Sequence, residues 1–540
     1  MSLAIGGLCA SCDPAPSESR AGPGTAPAVA PNLILILVDT LRADAVFDPR
    51  EAYDTPNLDR LARAGVSFEH AFAGAPMTLP SHVSLFSSRP VLETGVFVNG
   101  QEVPRELPLV AEWLAQHGYD TRAVLSIGTL HSGFGKNSPQ RGFALYDCDF
   151  WNLAPAEKTF ERLRAVLAGR NSKKPLFLFA HFADPHEPYE AHGTEVRTVR
   201  VTMNGEELVR LQTADMQQWI HRLVLPAGRT EFELVSEEPP ASELGPKRRQ
   251  RLPLPRFMLR TFECREDGKR LSVERASNNL WEPLTEMRVV VDRGARPSAE
   301  CELRLWATQV LGRNDTIRKR YALEVAHVDR YVGELLAELE RQGLYHQSLI
   351  VFTSDHGEGL GEHHEIGHVQ NLSDGLLRVP LIVKLPDGDP RVAALRSVAP
   401  SLVSQIDLVP TLLEVAGLPP LPGQRGVSML QRAERLHVAQ TSRPEAAKNQ
   451  LAFRDEAFKM VFLPDEERFE LYDVAQDPGE LTDVFATRSA ERPDWPARLR
   501  AAYAASQAAR SEPRAEGEPD PARDDMLRAL GYGGEGDDER

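Results

Sequence analysis

The chain has few cysteines, no long hydrophobic run and no excess of basic residues. It contains five cysteines among 540 residues, and the three that follow Cys12 show no Cys-x-x-Cys spacing, so they indicate no structural zinc site. No apolar run approaches the roughly 18 residues that a membrane-spanning helix needs. Lys and Arg total 62 against 78 Asp and Glu, a formal net charge of −16, and we expect no nucleic-acid partner because phosphate backbones need a basic surface. The composition, 42% hydrophobic and 26% charged, excludes a collagen, a coiled coil and a wholly disordered chain.

Residues 1–31 differ in composition from the rest of the chain. Met1–Leu8 are small and apolar, Cys9 and Cys12 follow, and residues 14–31 are rich in Pro, Ala, Gly and Ser. We interpret this segment as an export leader and tether with a lipid-attachment cysteine at Cys12, which predicts a periplasmic or cell-envelope protein associated with a membrane through its lipid. The alternative is a misassigned start followed by a disordered leader, because the segment lacks a basic region and its apolar stretch is short.

Apolar runs that alternate with amphipathic segments predict an α/β protein. Three continuous apolar runs are typical of strands buried on both faces of a parallel sheet, namely Leu33–Val38, Leu176–Ala180 and Leu349–Thr353. Three segments with helical spacing of apolar residues end at or next to a glycine, namely Thr55–Gly65, Leu107–His117 and Tyr321–Gln342. This alternation predicts a doubly wound α/β sheet.

A different pattern interrupts the α/β alternation between Tyr189 and Thr316. Apolar residues recur at every second position in several short segments, and Asn204-Gly205 is a hairpin turn signal. We therefore predict a β-sandwich domain inserted at residues 191–315. Cys264 and Cys301 lie in this insert, where they could form a disulfide in an exported protein or be two small buried apolar residues.

Acidic residues end two of the predicted strands. Asp39 follows the first apolar run, and Asp355 and His356 follow the run Leu349–Thr353. Ligands of open α/β sheets bind beyond the carboxyl ends of the strands, and two carboxylates with an imidazole there predict a divalent-cation site. For either Asp alone, the alternative is a helix N-cap.

Thr78 lies where a helix is predicted to begin, because Pro80 suits the first helical turn. The N–H groups and the dipole at such an end suit a tetrahedral oxyanion. A threonine hydroxyl is a weak nucleophile that coordination to a cation can activate. The alternative is a threonine that only caps the helix.

Several motifs in consistent order resemble those of the sulfatases of the alkaline phosphatase superfamily. They are Thr55–Gly65, Ser354–Glu358, Leu360–His363, Arg378–Val383, Leu471–Asp473, Asp477–Glu480 and the terminal Leu527–Tyr532. The resemblance covers residues 32–190 and 317–485, and the insert has no counterpart in the family pattern. It implies an alkaline-phosphatase-like fold with catalytic parts at 32–190 and 316–435, a small C-terminal sheet subdomain at 436–485 and a helical, partly disordered tail at 486–540.

The resemblance also implies roles for individual residues. It places the metal at Asp39, Asp355 and His356, with Thr78 as nucleophile and further ligand. His131 matches the family's active-site Trp-His pair, and His186 matches the histidine that approaches the ester. His368 falls where the family usually has a substrate-binding Lys. Its position also resembles that of a histidine that binds a second metal in some superfamily members.

The sequence departs from the sulfatase pattern at the nucleophile. The family's C-x-P-S-R motif reads here from Thr78 to His82, and a threonine cannot give formylglycine because its β-carbon carries a methyl group. His82 replaces the motif arginine, Thr40 stands where many sulfatases have a second Asp, and Thr129 stands where they have a Lys. Threonine nucleophiles occur in the superfamily's phosphatases, phosphodiesterases and phosphotransferases.

We therefore expect a metal-dependent hydrolase of sulfate or phosphate esters that acts by in-line attack of Thr78. His131 or His186 would protonate the leaving alcohol, and His82 and His368 would contact the substrate. The ester could be a small molecule, a glycan or a lipid, and Ca, Mg, Mn and Zn remain open as the cation. The alternatives are a phosphotransferase with a phosphothreonine intermediate and a non-catalytic binding protein on a sulfatase scaffold.

Overall fold

The computed structural model describes fifteen stretches of the chain. They are residues 30–48, 53–131, 139–148, 153–186, 189, 198–212, 217–237, 256–266, 269–271, 273–275, 286–310, 314–364, 366–369, 371–442 and 449–510. The predicted leader with Cys12 and the terminal motif Leu527–Tyr532 lie outside these residues. Within them, no helix is both long enough and apolar enough to cross a membrane.

The strands and helices of the described residues are numbered in chain order. The strands are β1 (Asn32–Val38), β2 (Val66–Phe72), β3 (Asp120–Val124), β4 (Leu145–Asp147), β5 (Leu176–Phe182), β6 (Thr198–Met203), β7 (Glu206–Gln212), β8 (Gln217–Leu225), β9 (Arg229–Glu237), β10 (Arg256–Glu266), β11 (Lys269–Arg270), β12 (Val273–Arg275), β13 (Glu286–Asp292), β14 (Ala299–Val310), β15 (Ser348–Thr353), β16 (Gly359–Leu360), β17 (Ile366–Gly367), β18 (Arg378–Lys384), β19 (Val403–Ser404), β20 (His437–Thr441), β21 (Gln450–Arg454), β22 (Phe458–Leu463) and β23 (Arg468–Asp473). The helices are α1 (Asp44–Phe47), α2 (Pro56–Ala64), α3 (Thr78–Ser87), α4 (Val91–Thr94), α5 (Val110–Gln116), α6 (Ala156–Ala168), α7 (Asn314–Arg341), α8 (Asp374–Leu377), α9 (Val392–Val398), α10 (Leu408–Ala416), α11 (Phe485–Arg488) and α12 (Trp495–Arg510).

An eight-stranded sheet forms the centre of the α/β part, with the order β19-β2-β18-β15-β1-β5-β3-β4. β1 pairs in parallel with β15 and with β5, whereas β18 is antiparallel to both of its neighbours. Side chains of β1 alternate between two cores: Leu33, Leu35 and Leu37 face one, and Ile34, Ile36 and Val38 face the other. This burial on both faces confirms the predicted doubly wound α/β class.

Helices cover both faces of the central sheet. Apolar residues of α2, α6 and α7 share one core with the sheet, and those of α3, α5, α9 and α10 share the other. The long helix α7 buries the predicted stripe, which includes Val325, Val332 and Leu339. It begins at Asn314, earlier than predicted. The prediction missed the first turns because their sequence is mostly polar and shows no apolar periodicity.

The inserted segment forms two antiparallel sheets around one core, as predicted. The sheets have the orders β11-β10-β14-β8 and β12-β13-β9-β6-β7. Val201 and Phe232 of one sheet pack with Phe262 and Leu303 of the other. The β6–β7 turn uses Asn204-Gly205 with positive φ at both residues, as a tight hairpin requires.

Cys264 and Cys301 are buried in the core of the insert and are not joined in a disulfide. Burial and the adjacent Cys301 thiol raise the pKa of Cys264 to about 12.

A four-stranded antiparallel sheet, β20-β21-β22-β23, follows the α/β part and packs against α12. The domain boundaries that the sequence suggests stay predictions.

Candidate active site

Two carboxylates and an imidazole lie together where β1 and β15 end. Asp39 follows β1, Asp355 and His356 follow β15, and the two strands are parallel neighbours, so their carboxyl ends share one edge of the sheet. One ligand atom from each of the three residues lies within 4.8 Å of the others, and all three side chains are buried. The structure therefore brings together the three residues that the sequence pattern selects.

The ligand atoms of this cluster are left without hydrogen bonds. Among the described residues, neither oxygen of Asp39, nor Oδ2 of Asp355, nor Nε2 of His356 has a hydrogen-bond partner. Asp39 therefore caps no helix. His356 Nδ1 lies 2.9 Å from the carbonyl oxygen of Gly357; since a carbonyl only accepts, Nδ1 carries the proton and Nε2 keeps its lone pair. Buried acceptors that converge without donors are costly, and this donor set fits a divalent cation.

Burial raises the pKa of both carboxyl groups. The pKa of Asp39 is raised to about 7, mainly by desolvation, and the charge of Glu358 adds to the rise while His356 opposes it. The pKa of Asp355 is raised by burial and by the neighbouring charge of Asp39. The site thus concentrates negative charge in a medium that does not solvate it, which a bound cation would relieve.

Thr78 is the first residue of α3, and its side chain is fully buried. Its Oγ1 has no hydrogen-bond partner among the described residues, so the hydroxyl does not cap the helix. The first turn of α3 is fixed against Asp355, because Ser81 Oγ donates a hydrogen bond to the Asp355 carbonyl oxygen at 2.7 Å. Thr78, the nucleophile that the sequence suggests, therefore begins a helix whose first turn contacts Asp355.

Two of the N–H groups in the first turn of α3 are already bonded within the protein. The N–H of Leu79 donates to Asn99 Oδ1 at 2.8 Å, and the N–H of Ser81 donates to the Met77 carbonyl oxygen at 3.0 Å. Pro80 has no N–H. These two N–H groups are therefore occupied, and anion binding by the start of α3 stays a prediction.

His82, which replaces the motif arginine, is fully buried on α3. Its Nδ1 donates to the Thr78 carbonyl oxygen at 2.7 Å and lies 3.6 Å from Asp355 Oδ2. Burial lowers the pKa of His82 to about 4, although Asp355 opposes the shift. The imidazole is therefore neutral at neutral pH, whereas the motif arginine of the resemblance would be charged.

Three further histidines were expected at the site. The His368 ring lies with its centroid 4.6 Å from that of His356, and the His186 ring lies 4.9 Å from that of His368. His368 Nδ1 also lies 3.1 Å from Glu358 Oε1. The turn that precedes the half-buried His131 packs against α3. The structure thus connects His186 and His368 to the cluster of Asp39, Asp355 and His356.

Two β-branched residues beside the site have left-handed backbone conformations. Thr40 has φ +55° and Val369, next to His368, has φ +77°. Such values are uncommon for β-branched residues and persist where the surroundings enforce them. The N–H of Thr40 donates to Asp355 Oδ1 at 3.3 Å, and Tyr321 donates its hydroxyl proton to the Thr40 carbonyl oxygen at 2.8 Å. These two bonds hold Thr40, the residue after Asp39, in its left-handed conformation.

Sequence reasoning missed two side chains of this site. His181 belongs to β5, and its Nε2 lies 3.6 Å from Asp39 Oδ2; the sequence interpretation ended that strand at Ala180. A polar residue at the carboxyl end of an apolar run is the signal that could have found it. Glu358, the partner of His368, lies in the Asp-His-Gly-Glu motif but received no role.

Comparisons with known proteins agree on one family. The sulfatase family model matches residues 31–418, and a model of the C-terminal part of N-sulphoglucosamine sulphohydrolase matches residues 364–494. Choline-sulfatase of Rhizobium meliloti is 24% identical over 528 residues, covering 86% of this chain and 83% of its own length. Iduronate 2-sulfatase of Mus musculus is 25% identical and covers 78% of this chain and 74% of its own length.

Solved structures share the fold. One protein, bound to its substrate D-glucosamine-2-N,6-O-disulfate, superposes with a TM-score of 0.57 at 17% identity, covering 90% of this chain and all of its own. The phosphonate monoester hydrolase of Agrobacterium radiobacter has a TM-score of 0.56 at 20% identity, covering 88% of this chain and 96% of its own. Because the family model spans most of the sequence, the chain is a hydrolase that belongs to the sulfatase family of the alkaline phosphatase superfamily.

Proposed function

We propose that the chain is a metal-dependent hydrolase that cleaves sulfate or phosphate esters with Thr78 as nucleophile. One observation carries the proposal: the Thr78 hydroxyl and the acceptor atoms of Asp39, Asp355 and His356 are buried and make no hydrogen bonds within the described part of the chain. Buried polar groups without partners cluster at sites that act on a ligand. The hydrogen bond from Ser81 Oγ to the Asp355 carbonyl oxygen links the helix that begins with Thr78 to Asp355.

Asp39, Asp355 and His356 would hold the cation, with Thr78 Oγ1 as a further ligand. Bound there, a divalent cation supplies positive charge that lowers the pKa of an alcohol and offsets charge on a non-bridging oxygen. Thr78 releases its hydroxyl proton to water and its Oγ1 attacks phosphorus or sulfur in line; a new O–P or O–S bond forms, and the bond to the alcohol oxygen breaks. Water then cleaves the ester of Thr78 and regenerates the hydroxyl.

Histidines around the cluster would transfer the proton and bind the substrate. His186 or His131 would protonate the leaving alcohol oxygen. The edge-to-face contact of the His186 ring with His368, whose ring in turn contacts that of His356, supports His186 in this role. His368 and the neutral His82 would contact the substrate, with Glu358 orienting His368 through Nδ1.

The nucleophile favours a phosphate ester over a sulfate ester, because a threonine cannot become formylglycine. A phosphotransferase would share the same phosphothreonine intermediate and would differ only in passing the group to an alcohol. The relatives include enzymes named for choline sulfate and iduronate sulfate, and one structural neighbour binds a disulfated glucosamine. We propose a small-molecule, glycan or lipid ester as substrate.

We also propose that the chain is exported to the periplasm or cell envelope and anchored through Cys12. The composition of residues 1–31 supports this. Cell fractionation with metabolic labelling by a fatty acid tests it, and C12S is the matched control. Label in both proteins, or in neither, would contradict anchoring at Cys12.

Peptide mass spectrometry after brief exposure to p-nitrophenyl phosphate or p-nitrophenyl sulfate, with an acid quench, tests the nucleophile. We expect the Thr78 peptide to gain one phosphoryl or sulfuryl group, and T78A to lose several orders of magnitude in kcat. T78S is the matched control, because it keeps a hydroxyl and should keep measurable turnover. An unmodified peptide during turnover by the wild type would remove Thr78 from this role. Comparing release to water with transfer to added glycerol separates hydrolase from phosphotransferase.

A further inference from the structure

Four charged side chains meet where the C-terminal sheet (β20–β23) contacts the α/β part. Arg454 of β21 and Lys459 of β22 are 8% and 1% exposed, and Glu480, which follows β23, is 5% exposed. Asp374, the fourth member of this four-charge cluster, begins α8. Removing charges from water is costly even where they are paired. None of the roles above uses the cluster, so it calls for a physical reason.

The four-charge cluster attaches the C-terminal sheet to the start of α8. The N–H of Asp374 donates to Glu480 Oε2 at 2.8 Å. The Asp374 carboxylate lies 3.0 Å from Arg454 Nη1 and accepts from Lys459 Nζ at 3.3 Å, and Lys459 also donates to Glu480 Oε1. Glu480 makes its bonds from a left-handed backbone conformation, with φ +54°, which is uncommon outside glycine. Backbone and side chain of Asp374 are therefore both held by the C-terminal part.

Helix α8 in turn packs against the backbone that follows His356. The N–H of Gly357 donates to the Leu376 carbonyl oxygen at 2.7 Å. A Cβ atom at Gly357 would lie 2.1 Å from the Gly375 carbonyl oxygen, so α8 approaches this backbone more closely than any side chain would allow. The peptide group that follows His356 is thus fixed by α8.

The Gly357 carbonyl oxygen orients the imidazole of His356. It accepts the Nδ1 proton at 2.9 Å, the bond that leaves Nε2 free to face Asp39 and Asp355. Partners of this kind fix the orientation of a metal-binding histidine and tune its affinity for the ion. A displacement of α8 would therefore move the group that aims His356 Nε2.

We propose that the four-charge cluster positions His356 through α8 and Gly357, so that the C-terminal sheet sets the affinity of the metal site. Asp374, Lys459 and Glu480 are then positioning residues, which act on the site through the backbone. This inference rests on the proposed metal dependence and adds to it a requirement for the C-terminal sheet.

The test measures binding of Co²⁺ and Ca²⁺ by the full-length, chelator-treated protein and by E480Q. A glutamine fills the same space, but only one of its two terminal atoms accepts a hydrogen bond. It must therefore lose either the Asp374 N–H or Lys459. We expect E480Q to bind the ion about 2–30-fold more weakly than the wild type, with a changed visible spectrum of the Co²⁺ form.

D455N is the matched control, because Asp455 is also a carboxylate of the C-terminal part that accepts both a backbone N–H and a basic side chain. Its Oδ1 accepts from the N–H of Phe458 at 2.8 Å, and its Oδ2 accepts from Arg492 Nε at 2.6 Å. These bonds hold the turn between β21 and β22, and not α8. We expect D455N to lower Tm and to keep the ion affinity and the Co²⁺ spectrum of the wild type.

The outcomes separate the positioning role from general stability and from the proposed function. E480Q with the ion affinity and Co²⁺ spectrum of the wild type would overturn the positioning role. An equal loss of affinity in D455N would also overturn it, because the effect would then follow from a weakened C-terminal sheet. A wild type that binds neither ion would instead overturn the proposed metal dependence.

Hydrogen exchange of the wild type keeps the proposal testable if E480Q does not fold. Coupling between two sites is reciprocal, so the ion should slow exchange in peptides that contain α8 by about the same 2–30-fold. Peptides from β13 of the insert are the control and should exchange at the same rate with and without the ion. Exchange of α8 that the bound ion leaves unchanged would overturn the proposal.

Discussion

Replacing Asp39 by Asn should make the metal-free protein more stable, by an amount that grows with pH. In the fold the pKa of Asp39 is raised from 3.8 to about 7. Between these two values the folded state holds a proton that the unfolded state has released, so stability falls as pH rises from about 4 to about 7 and stays low above. A shift of about 3 units corresponds to about 4 kcal/mol at pH 8.

D39N removes this loss, because its amide is neutral at every pH. With EDTA present, thermal and urea unfolding at pH 5, 6, 7 and 8 should show an advantage of D39N that grows from about 1.5 kcal/mol at pH 5 to about 4 kcal/mol at pH 8. With a metal at 100 times its Kd, the wild type should gain about 2.7 kcal/mol and D39N much less.

D59N is the matched control, since it makes the same Asp-to-Asn change at an exposed position of α2. Its gain in stability on adding metal should equal that of the wild type. A D39N protein whose stability difference from the wild type does not change with pH, or which responds to metal as the wild type does, would refute the assignment of Asp39 as a desolvated cation ligand.

Three further predictions concern the surroundings of the site. E358Q should lower kcat by about 10–100-fold with little change in Tm, because Glu358 orients His368 through Nδ1; steady-state kinetics with calorimetry checks this, and an unchanged kcat contradicts it. D329A should lower stability by about 1–3 kcal/mol, since this buried carboxylate accepts N–H groups at the start of α2; equal urea midpoints would argue against it. K459M should cost about 3–5 kcal/mol by leaving the buried Glu480 without its lysine, and a Tm equal to that of the wild type would show that the pair is not stabilising.

The α/β core could be predicted from sequence because its apolar patterns are strong. The run Leu33–Val38 has no polar position, and this alone indicates a strand buried on both faces. The stripe of α7 is equally regular. Asp39 and Asp355 could be paired because both follow such strands, and strand ends meet at one edge of a parallel sheet.

Other features depend on contacts that only the folded chain makes. The hydrogen bond of the Leu79 N–H depends on Asn99, twenty residues away. The position of His181 against Asp39 follows from the β1–β5 register, which the sequence pattern does not fix. The strained φ of Thr40 is held by Tyr321 and Asp355, both distant in sequence.

Anomalous diffraction from crystals of the metal-loaded protein tests the central claim most directly. The account predicts one ion peak about 2.0–2.6 Å from Asp39, Asp355 and His356, with Thr78 Oγ1 within the same range. A peak bound elsewhere, or a Thr78 hydroxyl pointing away from the ion, would contradict the account.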